Sequence, residues 1–187
     1  MRVIAGTARS LPLKTVKGND TRPTQDRIKE TLFNMLNPYL YGAKFLDLFA
    51  GSGGIGIEAL SRGAESACFV DSSKEAARVI RENLAFTHLD SKAEVLECDY
   101  NTALLRLSDR NTEAFDVIFM DPPYENELEK DVLLKLKDSN LVNEETLIVF
   151  EASLKTDISY LDAFGYELLK DKKYKTNRHV WVRLKQE

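Results

Sequence analysis

Asp121-Pro122-Pro123-Tyr124 follows the apolar run Phe115–Met120, and its four residue types suit work on an amine. Two consecutive prolines fix the backbone and cannot continue a strand, so the turn is rigid. The Asp121 carboxylate and the Pro122 carbonyl make a pair of acceptors for the two hydrogens of an exocyclic nucleobase amine. Such an amine is a poor nucleophile because its lone pair is delocalised into the ring, and Tyr124 could stack on the face of that ring. Catalysis here would come from orientation, with electrostatic support for charge developing on nitrogen and no covalent intermediate. The alternative is a bare Pro-Pro turn with an incidental acid.

A second stretch argues against that alternative. Asp47-Leu-Phe49-Ala50-Gly51-Ser52-Gly53-Gly54-Ile-Gly56 joins an apolar strand to a helix. Glycines there let backbone approach a ligand beyond the carboxyl ends of strands. No Gly-Lys-Ser/Thr follows, which excludes a phosphate-binding P-loop. Asp71, 20 residues past Gly51, suits both hydroxyls of a ribose. Gly51, Gly53 and Gly56 formally match the nicotinamide-dinucleotide fingerprint, so that cofactor competes on this motif. Asp47 separates the two classes. A carboxylate four residues before the first glycine would repel a pyrophosphate, yet it could accept from a cationic group or pin the loop. S-adenosylmethionine carries an ammonium and a sulfonium and no phosphate. Asp99, after a third strand, could reach an adenine amino group or equally cap the following helix. No Tyr-x-x-x-Lys or His/Asp set for hydride chemistry is evident.

These residues need a scaffold. The chain has 187 residues, 43% of them apolar, which is one domain with a full core. Arg2–Ala5 and Leu11–Val16 read as a hairpin-like arm. Thr24 reads as the N-cap of a helix carrying Ile28, Leu32, Met35 and Leu36, which should stop near Asn37-Pro38. Strands follow at Phe45–Phe49, Ala67–Val70, Lys92–Leu96, Phe115–Met120 and Thr146–Phe150. Helices alternate with them at Ile55–Ser61, Lys74–Phe86, Ala103–Leu107 and Leu128–Lys137. Alternation of buried strands with helices predicts an α/β protein with a mostly parallel central sheet. Tyr166–Asp171 and Val180–Leu184 have no helix between them and predict an antiparallel hairpin at the sheet edge. The organisation expected is residues 1–40 as a basic arm and helix, packed on a main domain of residues 41–187.

Cys68 and Cys98 lie in apolar segments and read as reduced core residues. His88 reads as a capping or surface residue, and His179 has no second ligand near it, so no metal is expected. No apolar run could span a bilayer, and the first residues lack a secretory pattern, so a cytoplasmic location is expected; a monomer is expected as well. The net charge is −4, but residues 1–40 carry +4 and residues 170–187 carry +5, against −13 between them. Brought together, the two ends would give an acidic protein a basic face for a polyanion. Solvated termini are the plainer reading.

The chain resembles the RsmD family of bacterial small-subunit ribosomal RNA methyltransferases along its whole length. The resemblance rests on Arg22 through Asn34, on Asp47 through Gly53, on Gly56 through Gly63, and on Asp121 through Tyr124. It implies a Rossmann-like methyltransferase that uses S-adenosylmethionine to methylate N2 of one guanosine in small-subunit (16S) RNA, within an assembled or assembling subunit. Asp47, Gly51, Gly53, Asp71 and Asp99 match cofactor-pocket positions, and Phe49, Ala50, Ser52, Ser72 and Tyr100 are placed beside them. Asp121, Pro122, Pro123 and Tyr124 match the catalytic motif. Arg2, Arg9, Arg22, Arg27, Lys172, Lys173, Lys175 and Arg178 are the candidate RNA contacts, although Arg27 could instead pair with Asp26 or Glu30. Gly54 is one glycine more than the motif needs, and Asp71 stands where relatives often have Glu. Glu58 is expected to hold Arg62 or the arm, Trp181 to pack in the core, and Glu151 is a candidate for the base pocket. The rivals are an adenine-amine DNA methyltransferase, for which the chain leaves little recognition region, and a non-catalytic ribosome-assembly factor.

Overall fold

The computed structural model describes residues 1–16, 23–124 and 127–186. Seven strands form one sheet: β1 (Lys44–Leu48), β2 (Ser66–Asp71), β3 (Ala93–Glu97), β4 (Val117–Met120), β5 (Leu147–Ser153), β6 (Tyr166–Lys173) and β7 (Asn177–Leu184). Their order is β3-β2-β1-β4-β5-β7-β6. The first five are parallel, while β7 runs antiparallel to both β5 and β6.

Alternation along the strands builds two cores. Phe45, Phe69, Phe119 and Val149 face one side, and Leu46, Val70, Met120 and Phe150 face the other. Helices α1 (Pro23–Leu36), α2 (Gly54–Ser61) and α3 (Lys74–Thr87) cover the first side through Phe33, Ile57 and Ile80. Helices α4 (Tyr100–Asp109), α5 (Leu128–Lys137) and α6 (Tyr160–Ala163) cover the second through Leu104, Leu133 and Leu161. Helices α1, α3, α4 and α5 each bury a stripe at 3–4 spacing, whereas α2 is buried on nearly every residue. This is the doubly covered, mostly parallel sheet that the alternation predicts, and the Rossmann-like fold that the resemblance implies. Among the described residues no helix is long and apolar enough to cross a membrane.

The arm pairs with itself, Val3 N–H donating to Leu11 C=O at 3.0 Å and Leu13 N–H to Met1 C=O at 2.9 Å. Val3, Ala8 and Leu13 are buried in the same core as α1–α3, and so is Trp181 from the far end of the chain. Two local expectations change. Helix α1 begins at Pro23, so Thr24 lies inside it; proline suits a first helical position because its missing N–H would have no partner there. Helix α4 begins at Tyr100 because Asp99 caps it. The C-terminal hairpin lies at the sheet edge as expected, joined to β5 through β7, with β6 outermost.

Candidate active site

The order of the sheet reverses at β1, whose neighbours β2 and β4 belong to opposite halves, and ligands of open α/β sheets bind beyond such a point. Leu48 is level with both Val70 and Met120, and Met120 with Phe150. The residues just past these positions are Phe49, Asp71, Asp121 and Glu151. Parallel register therefore gathers the glycine loop, the ribose candidate and the catalytic tetrad along one edge.

The loop after β1 turns tightly. Phe49 adopts φ 61° and Gly51 φ 56°, and Ala50 N–H donates to Val70 C=O at 2.9 Å. A Cβ built on Gly51 would meet nothing within 4 Å, so its bare backbone fronts open space that a side chain would take. Gly54 has the opposite reason: a Cβ there would lie 2.2 Å from Met1 Sδ. The glycine that the motif does not need is needed by the arm.

Asp47 is buried beneath the loop, and its Oδ2 accepts from Gly56 N–H at 2.9 Å. Burial pushes its pKa to about 7, the Gly56 bond opposing and the charge of Asp71 adding to the rise. Of the two roles open to it, pinning the loop is the one it fills. Asp71 accepts from Gly51 N–H at 2.8 Å and from Ser73 N–H at 2.9 Å, one bond to each oxygen. Asp99 accepts from Thr102 N–H at 3.0 Å and Thr102 Oγ1–H at 2.7 Å. Those bonds make it the α4 cap and hold its pKa below the usual range. Ser72 is exposed beside Asp71. Tyr100 lies 5.5 Å from the Phe49 ring, and its hydroxyl donates to Asp131 on α5 at 2.7 Å.

At the end of β4, Pro122 is buried while Asp121, Pro123 and Tyr124 are exposed. The surrounding protein raises the Asp121 pKa well above the ordinary carboxylate range, and the negative charges of Glu151 and Asp47 add to this. The Tyr124 hydroxyl donates to Glu151 Oε1. Glu151 also accepts from Asn177 Nδ2 at 2.5 Å and lies 3.3 Å from His179 Nε2. Burial works against its charge, but the bonds from His179, Tyr124 and Asn177 outweigh it and keep the pKa low.

A family model described as "Conserved hypothetical protein 95" matches residues 1–183. Ribosomal RNA small subunit methyltransferase D of Haemophilus influenzae is 36% identical over 92% of this chain and 88% of its own. The chain belongs to this family. Bacillus subtilis YlbH is 44% identical over 81% of this chain and 82% of its own. A solved Thermus thermophilus protein superposes with a TM-score of 0.82 at 30% identity, covering 98% of this chain and 99% of that one. The resemblance on the motifs thus extends to the whole RsmD-like fold.

For this family member the N-terminal arm is tied to the glycine loop's own helix. Glu58 on α2 is fully buried and accepts from Ile4 N–H at 2.8 Å, Ala5 N–H at 3.0 Å and Arg62 Nε at 2.8 Å, with Lys29 Nζ 3.4 Å away. It does both things expected of it, holding Arg62 and the arm. Arg2 is exposed, 3.7 Å from Asp26. Arg9, Arg27, Lys173 and Lys175 are exposed and Lys172 is half-buried, whereas Arg22 lies outside the described residues. Among the described residues Arg27 pairs with neither Asp26 nor Glu30. Arg178 is a correction. It is buried, its guanidinium bound to Asp171 at 3.2 Å and to Thr156 C=O, because β7 is an interior strand. It clamps the hairpin and is not available to RNA. Trp181 is buried in the core. His88 is exposed and closes α3 at φ 59°.

Reasoning from the chain alone missed Asn177 and His179. The signal was alternation: Asn177, His179 and Trp181 sit at every second position of a strand, so the histidine shares a face with a core tryptophan.

Proposed function

We propose that this protein transfers the methyl group of S-adenosylmethionine to N2 of one guanosine in small-subunit (16S) ribosomal RNA, within an assembled or assembling subunit. The observation that carries the reading is the rigid Asp121–Tyr124 turn standing one strand from the open backbone of Gly51. Relatives named as small-subunit ribosomal RNA methyltransferases support the substrate class.

When bound, S-adenosylmethionine supplies a methyl carbon on positively charged sulfur. The residues present suit it. Gly51 leaves room at the loop, and each Asp71 oxygen keeps a lone-pair site for a ribose hydroxyl after its backbone bond is counted. The charge of Asp71, which is felt at Asp47, would favour a cationic ligand over a pyrophosphate. Asp121 and the Pro122 carbonyl hold the hydrogens of the target amine, once the base has left its stack, and aim the nitrogen. Asp121 then takes up the proton that nitrogen releases, and its raised pKa makes it a stronger base than a free carboxylate. Tyr124 offers a ring to the base face. Exposed Arg9, Arg27, Lys173 and Lys175, with half-buried Lys172, meet the RNA backbone.

The test is mass spectrometry of small-subunit RNA nucleosides from cells with and without the gene. N2-methylguanosine should disappear from one position when the gene is deleted. Unchanged RNA together with lost N6-methyladenine in DNA would favour the DNA-methylating rival.

A further inference from the structure

The acid that stands beside Asp121 has its own geometry. Glu151 follows Phe150, the register partner of Met120, so it occupies on β5 the place that Asp121 occupies on β4. Three donors converge on it: Tyr124 and Asn177 on Oε1, and His179 on Oε2. An ionised carboxylate has about four lone-pair sites, which leaves one, on Oε2. His179 is 2% exposed and Asn177 8%, but the Glu151 side chain is 17% exposed, so the carboxylate is not sealed from solvent. The geometry lets Nε2–H donate to Glu151, and Nδ1 lies 3.4 Å from the Tyr174 hydroxyl. The whole network gives protons to Glu151 and takes none from it. With Asp121 ionised, Glu151, Asp121 and the Pro122 carbonyl offer an incoming base acceptors only.

Bases differ at the atom next to their amine. In guanine N2 is flanked on its Watson–Crick side by N1–H, a donor, and on the other side by bare N3. In adenine the neighbour of N6 is bare N1, and in cytosine that of N4 is bare N3, both lone pairs. We infer that Glu151 is a specificity-determining residue, accepting the N1–H of the target guanine while Asp121 and Pro122 hold its amine. This rests on the guanine-N2 reading above and adds to it how the base would be told apart. A bare ring nitrogen placed there would face an anion with no proton between them, which is both a lost charge-assisted bond and a repulsion. Asn177, His179 and Tyr124 are positioning residues, because they act through Glu151.

The purified protein is given small subunits rebuilt with RNA in which the mapped target guanosine is kept or replaced by 2,6-diaminopurine. That base retains the N2 amine but has a bare N1. The native protein should methylate guanosine on the order of 10–100-fold better in kcat/KM, the span of one good base contact. Glu151→Gln is the second arm. Its amide oxygen can keep the bonds from Tyr124 and Asn177, and its NH2 can donate to a bare N1 once His179 takes the tautomer whose Nε2 accepts. Discrimination should shrink to within about threefold or reverse, again set by one contact. Rates that fall in equal proportion on both bases would make Glu151 merely structural and overturn the inference. Native protein that treats the two bases alike would also overturn it, with N2 methylation left standing. Failure to methylate guanosine at all would remove both readings together.

Discussion

Asp47→Asn should change the pH dependence of stability more than stability itself. In the folded chain the Asp47 carboxyl titrates at about 7, raised by burial from 3.8. Below both values it is protonated whether folded or unfolded and contributes no pH dependence. Between them the unfolded chain releases the proton while the folded chain keeps it, so stability falls as pH rises. The full effect is about 4 kcal/mol at neutral pH and above. An asparagine oxygen can still accept from Gly56 N–H, but its NH2 has no evident partner, which costs about 1–3 kcal/mol at every pH. Urea unfolding of both proteins from pH 4.5 to 8 gives the assay, read as native minus variant so that the other acids cancel. The variant should be the less stable at pH 4.5 and should gain on the native protein by several kcal/mol by pH 8. A difference that stays flat across the range would show that Asp47 is ionised in the fold, and the reading of a neutral, loop-pinning acid would be wrong.

Asp121→Asn should lower single-turnover methylation by about 10²–10³, with cofactor affinity measured by calorimetry within a few-fold of native. Because the Asp121 carboxyl must be ionised to take a proton and its pKa is raised, native turnover should climb with pH along an acid limb that this variant lacks. Tyr124→Phe keeps the ring but removes a donor to Glu151, whereas Tyr124→Ala also removes the stacking surface and should cost a further 1–3 kcal/mol in kcat/KM; equal damage would mean that stacking plays no part. Asp71→Ala should weaken S-adenosylmethionine by about 1–3 kcal/mol in calorimetry, and NAD should show no binding to either protein. Subunit binding should weaken steeply with salt while cofactor binding barely moves, and charge reversal at Lys172, Lys173 and Lys175 should flatten that salt slope.

What could be read from the chain was local. The glycine loop and the Asp-Pro-Pro-Tyr turn are contiguous, and their backbone demands are written in residue types. The alternation of Phe45, Leu46 and Leu48 or of Phe119 and Met120 between two cores follows from the pleat. Long-range pairing was less visible. Strand β7 looks the same in sequence whether it lies at the edge or between β5 and β6, and that placement alone buries Arg178 and sets His179 level with Glu151. Helix α6 has four residues, too few for a periodic signal. Asp99 offered two roles of equal standing, and only the bonds from Thr102 show the cap.

The anchoring of the arm bears on the order in which the chain acquires structure during synthesis. Ile4, Ala5 and Ala8 find their partners on Glu58 and Ser61, and Lys14 finds its partner on Asn83 at 2.8 Å. The arm leaves the ribosomal tunnel ahead of those partners and has no place to dock until α2 and then α3 have emerged. At about 5–20 residues per second, that leaves the Ile4, Ala5, Ala8 and Lys14 N–H groups several seconds with only water to bind. A segment translated early is thus among the later ones to settle, and it locks the helix that carries the glycine loop as it does so.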